Sequence, residues 1–212
     1  MPRPIDGVIA IHNAFRSDIA AIDEAALAAA RGKPGLEATV ERFRFFDEVL
    51  RLHGHGEEAA MFPAIEAFAP RVVEAYERDH RGLDRAFDTL RDAVSKRDAI
   101  QTARATAAFK FHLEMHLAKE EAHLFPIFEE GLSIEDQVRV IGVMASGVPP
   151  AMFPAFVAWM FPLLGDGDRE VMTRAWQQVM PAEMFGGAVH LVHEVIGDGW
   201  TELHRRIPEL AA

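Results

Sequence analysis

Two segments of the sequence repeat the same arrangement of potential metal ligands. One reads HGHGEEAAMFP and begins at His53; the other reads HLAKEEAHLFP and begins at His116, 63 residues later. Each histidine is followed four residues later by a glutamate, Glu57 or Glu120. In an α-helix, residues four apart lie on one face, about 5.4 Å from each other. Each segment therefore presents one imidazole beside one carboxylate.

Two further histidines, His12 and His80, lie on the apolar faces of other predicted helices. Ionised glutamates are rarely buried without a cation, and two of them facing each other in a core would repel. Imidazole and carboxylate ligands without thiolates suit iron, manganese or zinc, and helical bundles hold paired metals with such ligands. The four histidines and two glutamates together predict a dinuclear metal site.

The elements that must position these side chains are helices, since strand patterns are almost absent and the sequence predicts an all-α protein. Four amphipathic patterns fill the N-terminal part. The first runs from about Ile5 to Ala30, and the second ends at the Met61-Phe62-Pro63 segment. The third runs from Pro70 to about Val94, and the fourth ends at Gly131. Short breaks between long amphipathic helices favour antiparallel neighbours, so we expect a four-helix bundle over residues 1–132.

Residues 133–212 are expected to form a C-terminal helical extension packed on the bundle. Ser133 followed by Asp136 is a helix-start signal, and Asp168 and Pro181 mark two further starts. The 26 uncharged residues 140–165 are long enough to cross a bilayer, but their four prolines would interrupt a lipid-exposed helix. We therefore expect buried, broken helices there and no membrane span.

Composition excludes several classes of function. The formal charge of -11 and the pI near 5.3 offer no basic face, so nucleic acid is not expected as a partner. The absence of cysteine excludes disulfides, thiolate zinc sites and iron–sulfur clusters within this sequence. The opening MPRPIDGVIA lacks the apolar region of a signal peptide, which favours a cytoplasmic location.

The order of the candidate ligands, one element per helix, resembles the hemerythrin-like (HHE cation-binding) domain family. That order is His12, His53-x3-Glu57, His80 and His116-x3-Glu120. The resemblance covers roughly residues 5–130 and implies an up-down-up-down bundle around a non-heme di-iron centre. It further implies that Glu57 and Glu120 bridge two irons, that the four histidines are terminal ligands, and that an oxo or hydroxo bridge joins the metals. Other divalent metals also suit these ligands.

The sequence departs from oxygen-carrying hemerythrins at Tyr76, where those proteins have a second histidine one turn before the third-helix ligand. Two irons need about twelve ligand positions, and the predicted set with a solvent bridge leaves about two unfilled. Open positions favour reaction over reversible storage. The expected function is therefore binding of, or reaction with, a small ligand (oxygen, nitric oxide or peroxide) in sensing or detoxification, and whether the protein is an enzyme stays open.

Several nearby residues have open roles. Tyr76 is either a metal ligand or a core aromatic whose hydroxyl bonds near the site. His112 is an extra ligand or, as we prefer, a hydrogen-bond donor around the site. His55, Glu58, Glu121 and His123 are expected to be hydrogen-bond partners around the ligands or to face solvent.

Two other functions compete with the di-iron hypothesis. One is a mononuclear zinc or nickel enzyme of the DinB-like kind, to which His112-x3-His116 would contribute; the paired glutamates argue against it. The other is a metal-holding or structural protein whose extension binds another macromolecule. The sequence identifies no protein partner.

Overall fold

The computed structural model describes residues 2–210, and every regular element in that range is a helix. The protein is all-α, as predicted. The N-terminal part consists of α1 (Asp6–Ala30), α2 (Leu36–Gly56), π1 (Glu57–Met61), α3 (Phe62–Glu66), α4 (Val72–Ser95), α5 (Ala99–Lys119), π2 (Glu120–Leu124) and α6 (Phe125–Gly131).

The four long helices form a bundle in which α1 packs on α2 and α5, and α4 packs on α5. The turn between α1 and α2 contains Gly32 at φ 82° and Gly35 at φ 132°, values that residues with a side chain rarely adopt. The Asp98 carboxylate caps α5 by accepting hydrogen bonds from the backbone N–H groups of Ile100 and Gln101. These local signals reverse the chain and align the helices side by side.

Apolar residues form two buried clusters along the bundle, and the candidate ligands lie between them. The larger cluster contains Phe15, Phe46 and Phe109, and the smaller contains Val8 and Met61. On α1, for example, His12 separates Val8 of one cluster from Phe15 of the other. The ligands thus occupy a polar layer enclosed above and below by packed hydrocarbon, which excludes water and strengthens electrostatic interactions.

Both glutamates of the repeat begin a π-helical turn, which the continuous α-helical patterns did not predict. The N–H of Phe62 donates to the carbonyl of Glu57, and that of Phe125 donates to the carbonyl of Glu120, five residues back in each case. The residue that follows each phenylalanine is proline, which lacks the N–H that a regular helix needs and crowds the preceding turn. A wider turn accommodates the proline, and π-helical turns are frequent at functional sites.

The C-terminal extension consists of α7 (Ile134–Ser146), α8 (Phe153–Leu163), α9 (Asp166–Val179), α10 (Ala182–Ile196) and α11 (Gly199–Arg206). Ser133 caps α7, accepting a hydrogen bond from the N–H of Asp136 at 3.1 Å, as its spacing predicted. Pro181 directly precedes α10, also as predicted, whereas α9 begins at Asp166, two residues before the expected start at Asp168.

The extension packs directly on the bundle. Trp159 of α8 donates from Nε1 to Oδ2 of the buried Asp18 at 2.6 Å, and its ring centroid lies 5.4 Å from that of Phe15. Asn13 of α1 donates to Asp168 at 3.1 Å, and apolar residues of α8, α9 and α10 join the larger core cluster. Among residues 2–210, no helix is both long and apolar enough to cross a membrane. The division of the chain at residue 132 stays a prediction.

Candidate metal centre

The six predicted ligands converge in the polar layer of the bundle. Their donor atoms fall into two groups, and within each group the atoms lie within 4.8 Å of one another. The first group is His12, His53, Glu57 and Glu120; the second is His80, His116, Glu57 and Glu120. Both glutamates belong to both groups, whereas each histidine belongs to one. The structure thus contains two groups of potential metal ligands that share both carboxylates.

The first group brings together α1 and α2. The Nε2 atoms of His12 and His53 lie 3.1 Å apart. His53 Nε2 is 3.3 Å from Glu57 Oε1, and His12 Nε2 is 3.7 Å from Glu120 Oε2. One oxygen of each glutamate therefore faces the first pair of imidazoles.

The second group brings together α4 and α5. His80 Nε2 lies 3.4 Å from Glu57 Oε2, and His116 Nε2 lies 3.2 Å from Glu120 Oε1. His80 Nε2 is also 3.9 Å from Glu120 Oε1. The second oxygen of each glutamate thus faces the second pair of imidazoles, so each carboxylate spans both groups.

The chemistry of these atoms fits bound cations. Glu57 and Glu120 are fully buried, and their four carboxylate oxygens have no hydrogen-bond partner within the described chain. An uncompensated buried carboxylate is costly, and a cation between two of them removes both the repulsion and the desolvation penalty. Donor atoms that share one metal at about 2.1 Å lie about 3 to 3.5 Å apart, which is close to the shorter separations observed.

Burial and the charges of neighbouring side chains shift the pKa values of the candidate ligands, some upward and some downward. Burial lowers the pKa of His53 to about 4 and that of His116 to about 3, so both are neutral imidazoles at pH 7. Burial and the charge of Glu57 raise the pKa of Glu120 to about 8. Burial opposes the charge on His80, but its carboxylate partners outweigh burial and raise the His80 pKa to about 11. Without a cation, the centre therefore retains protons.

Each shared glutamate is followed directly by a second glutamate, whose carboxylate contacts the Nδ1 atom of one candidate histidine. Glu58 Oε1 lies 2.8 Å from His80 Nδ1, and Glu121 Oε1 lies 2.9 Å from His12 Nδ1. Arg16 donates to the same oxygen of Glu121 at 2.8 Å. A carboxylate at Nδ1 keeps the proton there, orients the ring and leaves Nε2 free as a metal ligand. The structure thus places Glu58 and Glu121 each beside one candidate histidine, and their support of metal ligands stays a prediction.

Tyr76 takes the role of the core aromatic rather than that of a ligand. It is buried, and its hydroxyl donates to the carbonyl oxygen of Lys119 at 3.4 Å, beside Glu120. Burial and the neighbouring charges of Glu120 and Asp79 raise the pKa of Tyr76 to about 12. A phenolate is therefore disfavoured, and the structure supports the second of the two sequence interpretations.

The remaining histidines near the repeats lie outside the centre. His55, His112 and His123 are exposed. Within residues 2–210, no hydrogen bond joins His112 to the ligands, so the structure does not bring His112 into contact with the centre. The reason is helical geometry: His112 lies on α5 one turn before His116 but on the solvent side, where its ring contacts Phe111. The solvent-facing alternative holds for His55 and His123.

A polar cleft between α2 and α4 opens toward the second metal position. Its volume is about 420 Å³, and its walls include His53, His80 and His116 together with charged groups such as Asp84 and Asp88. The two helices meet at the far end of the cleft, where the rings of Phe43 and Phe87 lie 5.1 Å apart. Sequence patterns do not show such an opening, because it depends on how far two helices separate.

Comparison with known proteins agrees with this geometry. The chain is 26% identical over 187 residues to zinc finger protein BRUTUS of Arabidopsis thaliana. It is 24% and 22% identical, over 193 and 194 residues, to two BRUTUS-like zinc finger proteins of the same organism. Each match covers 85% of this chain but 15% of the relative. Residues 1–132 make up less than two thirds of the chain. Because each match covers 85% of the chain, each match also includes part of the extension.

No solved structure shows significant similarity to the chain. The sequence profile of the hemerythrin HHE cation-binding domain matches residues 3–128, and a second, overlapping match covers residues 71–143. The first match contains all six candidate ligands and both π-helical turns. The chain therefore belongs to the hemerythrin HHE cation-binding domain family.

Proposed function

We propose that this chain binds two iron ions between its four long helices and that the metal pair binds or reacts with a small ligand. The observation that carries the proposal is the sharing of Glu57 and Glu120 by two groups of imidazoles, with all four carboxylate oxygens buried and without a hydrogen-bond partner in residues 2–210. Two carboxylates and four imidazoles exceed what one metal needs. The family and the nitrogen and oxygen ligands favour iron.

Each side chain has a defined task in this centre. The four histidines would hold the metals through Nε2, and Glu57 and Glu120, which belong to both groups of ligands, would contribute to both positions. When bound, an iron pair supplies electrons and open positions toward oxygen, nitric oxide or peroxide. The protein contributes fixed ring orientations, through Glu58 and Glu121, and apolar layers that keep bulk water away.

The position of Tyr76 supports reaction over storage. Its hydroxyl donates a hydrogen bond to the backbone carbonyl of Lys119. Tyr76 therefore does not fill the ligand position that a histidine fills in oxygen carriers. The polar cleft is lined by His80 and His116, so positions left open on a bound metal pair would be accessible from it. We therefore propose sensing or detoxification of oxygen, nitric oxide or peroxide as the role. The chain spans only about 15% of the length of the relatives named above, and their activities as whole proteins are not inferred for this chain.

A mononuclear zinc or nickel site is less well supported. It would draw on His112 together with His116, but the exposed His112 lies apart from the buried donor atoms. It would also leave one of the two shared glutamates buried without a cation, which is costly.

Metal content is the direct test. After purification from iron-replete cells or anaerobic reconstitution with ferrous iron, elemental analysis should give about two irons per chain. His112→Ala should retain both, whereas His116→Ala should lose iron, and the pair is matched in helix and residue type. One metal per chain, or zinc alone after iron reconstitution, would contradict the dinuclear proposal.

Reactivity is tested separately by gas exchange. The reduced, iron-loaded protein should consume oxygen or nitric oxide without returning the gas under vacuum. Return of intact oxygen would identify a carrier and overturn the proposed role while leaving the two-iron centre in place.

A further inference from the structure

A small apolar cavity lies where the extension meets the bundle. Its volume is about 100 Å³. Bundle residues such as Val8 and Ile11 form one side, and Met144, Phe156 and Trp176 of the extension form the other. His53 is the one member of the six-ligand set in its wall. The cavity therefore joins the extension to the first metal position.

The physical character of this cavity limits what it can hold. Its wall is almost entirely hydrocarbon, so a water inside would lack the two to four polar partners that it needs. Dry apolar cavities of about 150 Å³ in other proteins bind xenon or benzene. A space of comparable size is too small for a lipid chain and too apolar for peroxide. It fits an uncharged molecule with few heavy atoms.

The cavity differs from the polar cleft in both its walls and its position. The cleft contains charged side chains, including Arg51 and Asp84, and is the larger of the two. One wall of the cavity is formed by α7, whose Met144 lies so close to Gly56 that an added Cβ at Gly56 would be 3.4 Å from Met144 Cβ. His53 borders both spaces. Two spaces of opposite character, one apolar and one polar, therefore border the same candidate ligand.

We propose that the cavity between α1, α2 and the extension is a binding site for one small, uncharged apolar molecule, from gas to benzene in size, held beside His53. Binding itself requires only the cavity. Its use in supplying the metal pair rests on the proposed function. The extension, by this inference, contributes a ligand site that the bundle alone would not enclose.

Xenon is the probe, because it is uncharged, chemically inert and of suitable size. Xenon titration of the full chain, followed by ¹²⁹Xe NMR and by the methyl signals of Met144, Met172 and Met180, should show one saturable site in both metal-free and metal-loaded protein. Met144→Ala enlarges the cavity and should tighten xenon binding by about two-fold or more. Met144→Trp fills the cavity and should weaken binding about ten-fold or abolish it.

Val143→Trp is the matched control, since Val143 neighbours Met144 on α7 but is 51% exposed. It should leave xenon binding unchanged. Absence of a saturable site in the wild type, or equal binding in wild type and Met144→Ala, would overturn the proposal even if Met144→Trp fails to fold. If the protein binds xenon at this site but reconstitution with ferrous iron yields no metal pair, the proposed function is refuted and the cavity site still stands.

Discussion

Glu57 and Glu120 are both fully buried and belong to the same two groups of ligands, yet their pKa values move in opposite directions. Burial would raise the pKa of Glu57, but the surrounding histidines, His53 first, outweigh it and lower the value to about 2. Burial and the charge of Glu57 raise the pKa of Glu120 to about 8. The two carboxylates titrate as a pair, and repulsion between them favours retention of a proton when no cation lies between them.

Metal loading should release about two protons per chain at pH 7, because the proton on Glu120 and the extra proton on His80 must leave before both can act as ligands. Since both pKa values lie above 7, the overall binding constant should rise roughly 100-fold per pH unit between pH 6 and 7.5. Calorimetry in two buffers of different ionisation enthalpy measures the release. Binding that is independent of pH would contradict the predicted protonation of the centre.

Replacing one shared carboxylate should empty both metal positions. Glu120→Gln keeps the side-chain volume but removes the charge that both positions share, so we expect less than about 0.2 iron per chain, not one. The metal-free variant should be at least as stable as the wild type, because a costly buried carboxyl group is removed. Elemental analysis and thermal unfolding measure the two effects. Glu130→Gln, at an exposed position, is the control and should keep both irons. Retention of one tightly bound iron in Glu120→Gln would contradict the proposal that both metal positions share this carboxylate.

The outer carboxylates should affect the two metal positions separately. Glu121→Ala removes the partner of His12 Nδ1 and should weaken the first position, whereas Glu58→Ala removes the partner of His80 Nδ1 and should weaken the second. Removal of such a hydrogen-bond partner lowers metal affinity about 10- to 100-fold. Competition with a chelator, which resolves two binding steps, provides the measurement. Glu48→Ala, on the exposed side of α2, should change neither step; equal weakening of both steps by either variant would show that the positions are not independent.

Tyr76→Phe should retain two irons and an unchanged visible spectrum, because the Tyr76 hydroxyl bonds to the Lys119 carbonyl and its pKa is raised to about 12. The variant should lose about 0.5–1.5 kcal/mol of stability, the usual contribution of one such hydrogen bond. Absorption spectroscopy and chemical denaturation are the measurements. Loss of a visible absorption band in Tyr76→Phe would restore tyrosine as a ligand.

Removing residues 132–212 should destabilise the bundle. The deletion uncovers apolar surface around Phe15 and leaves the buried Asp18 carboxylate without the Trp159 N–H. We therefore expect a fragment of residues 1–131 to aggregate or to unfold at a lower temperature, with reduced metal content. A milder variant, Trp159→Phe, should lower the free energy of unfolding by about 1–3 kcal/mol, because it leaves one carboxylate oxygen of the buried Asp18 without its hydrogen-bond donor. A soluble and equally stable fragment would mark the extension as a separate module.

Features that depend on local spacing could be predicted from the sequence. The four long helices and the convergence of His53 with Glu57 follow from periodicity along single helices. The π-helical turns were not predicted, although a proline six residues after each shared glutamate is a local signal for them. The bond from His12 to Glu121 and the apolar cavity could not be predicted, because they join residues more than 80 positions apart.

The membership of the two ligand groups has an evolutionary consequence. The first pair of long helices, α1 and α2, supplies both histidines of one ligand group, and the second pair, α4 and α5, supplies both histidines of the other. Each helical hairpin also contributes one shared glutamate, at matching places in its sequence. Two identical copies of a single hairpin, related by a twofold axis, would build a centre of this form. The present chain thus has the form of a covalently joined dimer of hairpins, in which the histidines of one ligand group can change independently of those of the other while the two glutamates serve both groups.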